Sequence, residues 1–227
     1  MMLSDLSDKY IEMCTRNMGL KHPVPIHNEM AIVFDMDDCL FQSSELAEYE
    51  KNHIKDSYLQ LSNSDEETWV AHLSNFNLYR EIFHSTLKMD LFEFSEKYER
   101  PKLDSFVKPD IELKTLLEKI KIRKFCFTNA CRYRAKHVLS YLQLEDVFEA
   151  VICTDIVDTE FICKPQKQAY EFLENYLSVS NPQNIYFFDD SLKNIEGANT
   201  VGWNTVHVCE DIKRHINELA TRVTLFE

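Results

Sequence analysis

From residue 111 onward the chain alternates two kinds of segment with a regularity that few folds can absorb. Helical spacing predicts helices over 111–120, 132–142, 166–177 and 192–200 and another from Asp211, while compact apolar runs between them predict strands over 124–127, 150–153, 185–188 and 205–208. Short, uniformly apolar runs suit strands covered on both faces, and strands separated by helices are joined in parallel by crossovers. The expected fold is therefore α/β, with a doubly wound, Rossmann-like parallel sheet as its core. All strands of such a sheet end on one edge, so chemistry is expected at their carboxyl ends.

One earlier run, Met-Ala-Ile-Val-Phe at 30–34, reads as the first strand of the same sheet and stops abruptly at Asp35-Met-Asp-Asp38. Between about 43 and 105 the composition becomes polar, aromatic-rich and helix-forming. Tyr58, Leu59, Leu61, Trp69, Leu73, Phe76, Tyr79, Ile82 and Phe83 recur there at helical intervals, and no strand-like run interrupts them. This predicts an all-helical cap of three or four helices inserted after the first strand. Upstream, Leu3, Leu6, Tyr10, Met13 and Cys14 also follow helical spacing before Pro23 and Pro25 break it. The predicted organisation is an N-terminal helix and linker over 1–28, a core formed by 29–42 and 106–227, and a cap over 43–105. A chain of 227 residues accommodates one core plus such an insertion.

Composition removes several classes of function. Twenty-five Lys and Arg against 38 Asp and Glu give a formal charge of −13, the wrong sign for gripping a nucleic acid polymer. A small anion would need a bound cation or a few placed Lys and Arg to overcome that field. Only three glycines occur, so the dinucleotide fingerprint and the Walker A loop are both absent. Seven cysteines without a C-x-x-C pair indicate reduced thiols rather than a disulfide framework or a zinc finger. No stretch approaches the roughly 18 apolar residues of a membrane span, and the first residues carry no apolar leader. A soluble protein of the cytoplasm, with the nucleus also open to it, is expected, as a monomer or homodimer without a membrane partner.

Polar residues that buried strands do not need stand at the predicted strand ends. These are Asp35 and Asp37, then Thr128 and Asn129, then Lys164 before Pro165, and finally Asp189 and Asp190. Taken singly, each reads as a helix cap or a surface residue. Their common placement at one sheet edge points instead to a shared crevice. Carboxylates crowded there would raise one another's pKa unless a divalent cation and a lysine neutralised them. Mg²⁺ suits that oxygen-rich set. With Lys164 and the Thr128 hydroxyl, such a pocket could hold a dianionic phosphate and stabilise a transferring phosphoryl group.

Asp35-Met-Asp-Asp-Cys39 resembles the D-x-D-x-[TVC] first motif of haloacid dehalogenase-like phosphatases, Phe127-Thr-Asn129 their second, Lys164 their third, and Asp189-Asp-Ser-Leu-Lys-Asn194 their fourth. The longer stretches Phe-Thr-Asn-Ala (127–130), Ile-Cys-Lys-Pro (162–165) and Tyr-Phe-Phe-Asp-Asp-Ser-Leu-Lys-Asn-Ile (186–195) are similar to the fungal pyrimidine 5′-nucleotidase branch, as is Lys108-Pro-Asp110. The likeness covers about 30–42 and 106–208, and the cap matches mainly in length and character. It implies Asp35 as nucleophile and Asp37 as the acid for the leaving alkoxide and then the base for water. Thr128 and the backbone near Asn129 would hold phosphate oxygens, with Lys164 tethering nucleophile and phosphate. Asp35, the main-chain carbonyl of Asp37 and Asp190 would bind Mg²⁺, with Asp189 as an additional or outer ligand. Two departures stand out: Asp38 where many relatives have Gly or Asn, and Asn194 in place of a second Asp.

The resemblance implies a Mg²⁺-dependent phosphomonoester hydrolase for a small phosphorylated metabolite, foremost a pyrimidine nucleoside 5′-monophosphate. A sugar phosphate, nicotinamide mononucleotide or a lysophospholipid are alternative substrates, and phosphomutase or a non-catalytic regulatory protein alternative functions. Dehalogenation is disfavoured by Asp37, because a departing halide needs no proton. In the cap, Tyr79, Arg80, Phe83, His84 and Lys88 suggest a base site, but aromatics at helical spacing more often form core. Cys39 reads as a packing residue, and His137, His207 and His215 show no partner pattern.

Overall fold

The computed structural model describes residues 9–226. Six strands form one parallel sheet: β1 (Tyr10–Met13), β2 (Ala31–Phe34), β3 (Arg123–Cys131), β4 (Ala150–Thr154), β5 (Ile185–Asp189) and β6 (Asn204–His207). Their spatial order is β1-β4-β3-β2-β5-β6. From β2 the chain builds outward through β3 to β4, then returns to the other side of β2 for β5 and β6. The order reverses between β2 and β5, and a crevice opens at the strand ends of such a switch point.

Side chains alternate across the sheet, so each strand feeds two cores. Ile32, Phe34, Cys126, Val151 and Phe188 belong to one buried layer, Ala31, Val33, Phe125, Phe127, Ile152 and Phe187 to the other. All four residues of β2 are fully buried, which explains a run with no polar position. Helices α6 (Ile111–Lys119), α7 (Arg132–Tyr141), α8 (Lys167–Leu177), α9 (Leu192–Thr200) and α10 (Ile212–Ala220) accompany the later strands, following the expected alternation. No helix among the described residues is long and apolar enough to cross a membrane.

Between β2 and α6 the described chain is helical: α1 (Ser44–Ser62), α2 (Glu66–Asn75), α3 (Tyr79–Leu87), α4 (Leu91–Phe94), a π-helical turn (Ser95–Glu99) and α5 (Leu103–Phe106). The starts are written in the sequence. Ser43, Asp65 and Asp90 accept hydrogen bonds from the amides of Leu46, Thr68 and Glu93 at 3.2, 2.9 and 3.0 Å. Most aromatics of this segment form a cluster of their own, with Tyr58 and Trp69 rings 5.1 Å apart and Phe83 5.0 Å from Phe94, while Tyr49 and Phe106 pack against the core of the sheet.

The helix expected near the N-terminus is not formed. Tyr10–Met13 is a strand beside β4, followed by a short 3-10 turn at Thr15–Asn17; Leu3 and Leu6 lie outside the described residues. Tyr10 and Met13 are the buried pair of β1, a spacing that also fits one helical turn. What decides is the far edge of β4, whose backbone groups need partners: the Val151 amide donates to the Lys9 carbonyl at 2.8 Å.

Gly197 in α9 faces Tyr170 of α8. A Cβ there would lie 2.7 Å from the Tyr170 hydroxyl and 3.0 Å from the Pro165 carbonyl oxygen. Gly197→Ala should displace the phenol from its 2.7 Å hydrogen bond to the Asn194 carbonyl and destabilise the protein by about 1–3 kcal/mol. Chemical denaturation checks this; an unchanged midpoint refutes it.

Candidate active site

Asp35 follows β2 directly and Asp189 closes β5, so the two carboxylates stand on either side of the switch point. Lys164, from the loop before α8, reaches between them. Its Nζ donates to Asp35 Oδ1 at 2.6 Å, to Asp189 Oδ2 at 2.7 Å and to the Phe127 carbonyl at 2.7 Å, using all three ammonium protons. The ammonium also lies 5.2 Å from the ring centroids of both Phe127 and Phe187. This lysine is 1% exposed. Burial opposes its charge, but the two carboxylates prevail and raise its pKa above the ordinary lysine range.

Asn129 fixes the lysine's main chain. Its Nδ2 donates to the Lys164 carbonyl and its Oδ1 accepts from the Lys164 amide, both at 2.8 Å. The Asn129 side chain is thus committed to Lys164, and the phosphate contact expected at this position falls to its backbone. The Asn129 carbonyl accepts from Arg80 at 2.6 Å and from the Thr154 hydroxyl at 3.0 Å. Thr128 is buried beside it, with Oγ1 accepting from the Ala130 amide at 3.0 Å and its own proton left to donate.

The fourth motif is arranged around Asp189. Its Oδ1 accepts from the Ser191 amide at 2.8 Å, and Asn194 Nδ2 approaches Oδ1 and Oδ2 at 3.0 and 3.1 Å. An Asp at 194, acceptor-only when ionised, could not make these contacts. Asp189 is thus tied mainly to protein donors, while the adjoining Asp190 is only partly buried. Asp35, Asp189 and Asp190 offer carboxylate oxygens within 4.8 Å of one another.

Three carboxylates face one ammonium in a largely buried crevice, and two of them, Asp35 and Asp190, are held above the usual carboxylate range. Burial pushes Asp35 well above the usual carboxylate range against the pull of Lys164, with Asp189 and Asp37 adding to the push. Asp190 is raised to about 6, first by burial and then by Asp189 and Asp38. A hard divalent cation with oxygen ligands would relieve that surplus of carboxylates, so the donor set fits Mg²⁺.

Asp37 takes a different direction. Its carboxylate is not part of the three-residue cluster; Oδ1 accepts from Arg134 Nε at 3.1 Å and Nη2 at 2.8 Å. Arg134 of α7 also contacts Glu50 of α1 and the Glu99 carbonyl. Arg80 of α3 pairs with Glu99 Oε1 at 2.6 Å and with the hydroxyl of Thr154. Arg134, Glu50, Arg80 and Glu99 line a cleft of about 300 Å³ with Asp37, Asn77, Tyr79, Tyr98 and Asn129. Of the five cap residues singled out in the sequence, Tyr79 and Arg80 line this cleft. Phe83 is fully buried, His84 Nδ1 lies 3.1 Å from the Met89 carbonyl, and Lys88 caps the Ser85 carbonyl.

No sequence pattern marks Glu50, Glu99 or Tyr98 as site residues, and Arg134 is only weakly marked. The one available signal was the pair of arginines at 132 and 134 directly after the second motif, where a helix start on the functional edge places its first turn beside the crevice. Cys39 is buried with Sγ 3.6 Å from the Phe188 carbonyl, a packing position. Asp38 adopts φ 58°, a left-handed conformation that Asp and Asn tolerate better than most residues.

A family model described as haloacid dehalogenase-like hydrolase matches residues 29–202. "Phosphate metabolism protein 8" of Saccharomyces cerevisiae is 27% identical over 131 residues, covering 53% of this chain and 41% of that protein. The aligned region is thus about two fifths of the length of that relative. Among solved structures, L-2-haloacid dehalogenase from Xanthobacter autotrophicus superimposes with a TM-score of 0.53 at 19% identity over 87% of this chain and 84% of its own. A haloacid dehalogenase-family enzyme from Bacteroides thetaiotaomicron gives 0.56 at 18% identity, covering 83% and 98%.

The Asp190 shift has a testable sign. Its folded pKa lies above the value of about 3.9 expected in an unfolded chain, so between roughly pH 4 and 6 the folded state holds a proton that the unfolded state has released. Its contribution to stability is present below that window and lost as pH rises through it. Without divalent cations, raising pH from 4.5 to 7 should therefore lower the melting temperature more in the parent protein than in Asp190→Asn. Equal slopes in the two would contradict the assignment.

Proposed function

We propose a Mg²⁺-dependent phosphomonoester hydrolase working through an aspartyl-phosphate: the chain belongs to the haloacid dehalogenase-like hydrolases, and within them its site is equipped for a phosphate dianion. The observation that carries this reading is Lys164 bridging Asp35 and Asp189, with Asp190 near enough to share a cation. Asp35, Asp190 and the main-chain carbonyl of Asp37 would hold Mg²⁺, with Asp189 close by, and the ion would supply charge neutralisation for phosphate oxygens.

In the first half-reaction Asp35 attacks phosphorus in line. Lys164 occupies its Oδ1, and no described residue donates to Oδ2, which is the oxygen left to form the new bond. As the P–O bond to the alcohol breaks, Asp37 gives its proton to the leaving alkoxide. In the second half-reaction water attacks the phosphoryl group, its proton passes to Asp37, and the aspartyl P–O bond breaks to release phosphate and restore the Asp35 carboxylate. Thr128 and backbone amides beside it would donate to phosphate oxygens.

The need for a proton donor separates this reading from carbon–halogen cleavage, in which halide departs unprotonated. The name of the yeast relative, which concerns phosphate metabolism, also supports a phosphate ester. The sequence likeness to pyrimidine 5′-nucleotidases supports a nucleoside monophosphate. A cleft of about 300 Å³ beside Asp37, lined by Tyr79 and Tyr98, offers aromatic surface to a nucleobase. Action in the cytoplasm on such a soluble metabolite, by a monomer or homodimer, completes the proposal.

A phosphate-release screen over nucleoside monophosphates and sugar phosphates should show CMP and UMP turned over faster than AMP and GMP, with activity abolished by chelator and by Asp35→Asn. Equal rates on all four nucleotides would remove the pyrimidine assignment. Asp37→Asn should lower kcat/KM for CMP by about 10²–10⁴-fold, and retained turnover would remove its assignment as proton donor.

A further inference from the structure

Arg134 presents two different grips with one guanidinium. Toward Glu50 it makes the usual two-oxygen pairing, Nη1 to Oε1 at 2.5 Å and Nη2 to Oε2 at 3.3 Å. Toward Asp37 it sends both Nε and Nη2 to the single oxygen Oδ1, at 3.1 and 2.8 Å. Its remaining proton goes from Nη1 to the Glu99 carbonyl at 2.8 Å, so all five donors are used. Arginine–carboxylate pairs frequently engage both carboxylate oxygens, as this one does at Glu50. At Asp37 one oxygen is pinned and the other is spared.

The spared oxygen is the one the reaction needs. Asp37 lines the cleft and its side chain is 30% exposed, whereas Arg134 is 9% exposed, and no described residue donates to Asp37 Oδ2. The three remaining anchors of the arginine restrict its plane: α7 carries it on the core, while Glu50 in α1 and Glu99 in the π-helical turn belong to the inserted helices. A planar, five-donor group held from both sides can fix a carboxylate's rotation about its Cβ–Cγ bond, which a lysine's single ammonium cannot.

We propose that Arg134 is the positioning residue for Asp37, turning Oδ2 toward the leaving group while Glu50 and Glu99 hold the guanidinium in place. The proposal rests on the phosphatase reading above. Arg134 touches neither phosphorus nor the leaving oxygen. It acts through the orientation of the donor, and a displacement of about 1 Å at a reacting group can change a rate 10²-fold.

Two esters separate orientation of the donor from general damage. CMP expels an alkoxide that must be protonated as the P–O bond breaks, and p-nitrophenyl phosphate expels a phenolate that need not be. Because kcat/KM reports steps up to departure of the alcohol, later water attack does not enter the comparison. With the Mg²⁺-loaded full chain, Arg134→Gln should lower kcat/KM for CMP by about 10²-fold and for the aryl ester by less than about threefold. Arg134→Lys, which keeps the charge and loses the fork, should show the same bias with a smaller loss on CMP. The double variant Asp37→Asn/Arg134→Gln should be no slower on CMP than Asp37→Asn alone, since a positioner has nothing left to orient.

Melting temperatures report whether each variant folds, and Arg134→Lys carries the test if Arg134→Gln does not. Equal losses on the two esters in the folded variants, or additive losses in the double variant, would overturn the positioning role while leaving a phosphatase in place. A parent protein that cleaves neither ester would remove the phosphatase reading itself, and the proposal with it.

Discussion

The site depends on one buried ammonium. Lys164 is enclosed with Asp35 and Asp189, and each depends on the others: removing the lysine would leave two buried carboxylates unpaired by an ammonium, and removing either acid would leave an ammonium short of an acceptor. Buried charges persist only with such complete pairing, and here every proton of the ammonium is used. The surrounding structure supports that arrangement. Asn129 holds the lysine's backbone, Asn194 and Ser191 hold Asp189, and Phe127 and Phe187 flank the charge. These supports come from β3, β5 and the start of α9, so the sheet and its helix must be assembled before the charges can be buried together.

The topology explains why that assembly falls where it does. β2 and β5 are adjacent although about 150 residues separate them, and the chain reverses its direction of growth between them. Asp35 and Asp189 therefore lie side by side at the mouth of the switch-point crevice, with the loop before α8 supplying Lys164. A rigid sheet edge suits covalent chemistry, because a nucleophile and a donor on one short loop keep their separation while substrates come and go.

The inserted helices meet this edge through two buried arginines. Arg80 reaches from α3 to the Asn129 carbonyl and Thr154, and Arg134 reaches from α7 to Glu50 and the Glu99 carbonyl. Glu99 receives both, one on its side chain and one on its backbone. Charge-assisted contacts of this kind have directional geometry, unlike apolar packing, and so can set the relative placement of the helices and the acidic loop. Burial at this junction pushes Glu50 up to about 7 against the pull of Arg134.

The sequence by itself determined the alternation of strands and helices, the parallel sheet and the acidic, hydroxyl and amine residues at its functional edge. Those features are local: apolar runs too uniform for a half-exposed strand, helix spacing, and motif residues placed just past strand ends. It did not determine β1, because four residues with Tyr10 and Met13 buried satisfy a helical turn as well as a strand, and only the open edge of β4 decides between them. Nor did it show that Asn129 would grip Lys164 or that Asp37 would turn to Arg134, for no spacing along a chain encodes which side chains meet across three elements. Tertiary structure decided those contacts, because burying a charge forces it to find partners wherever the fold brings them within hydrogen-bond reach.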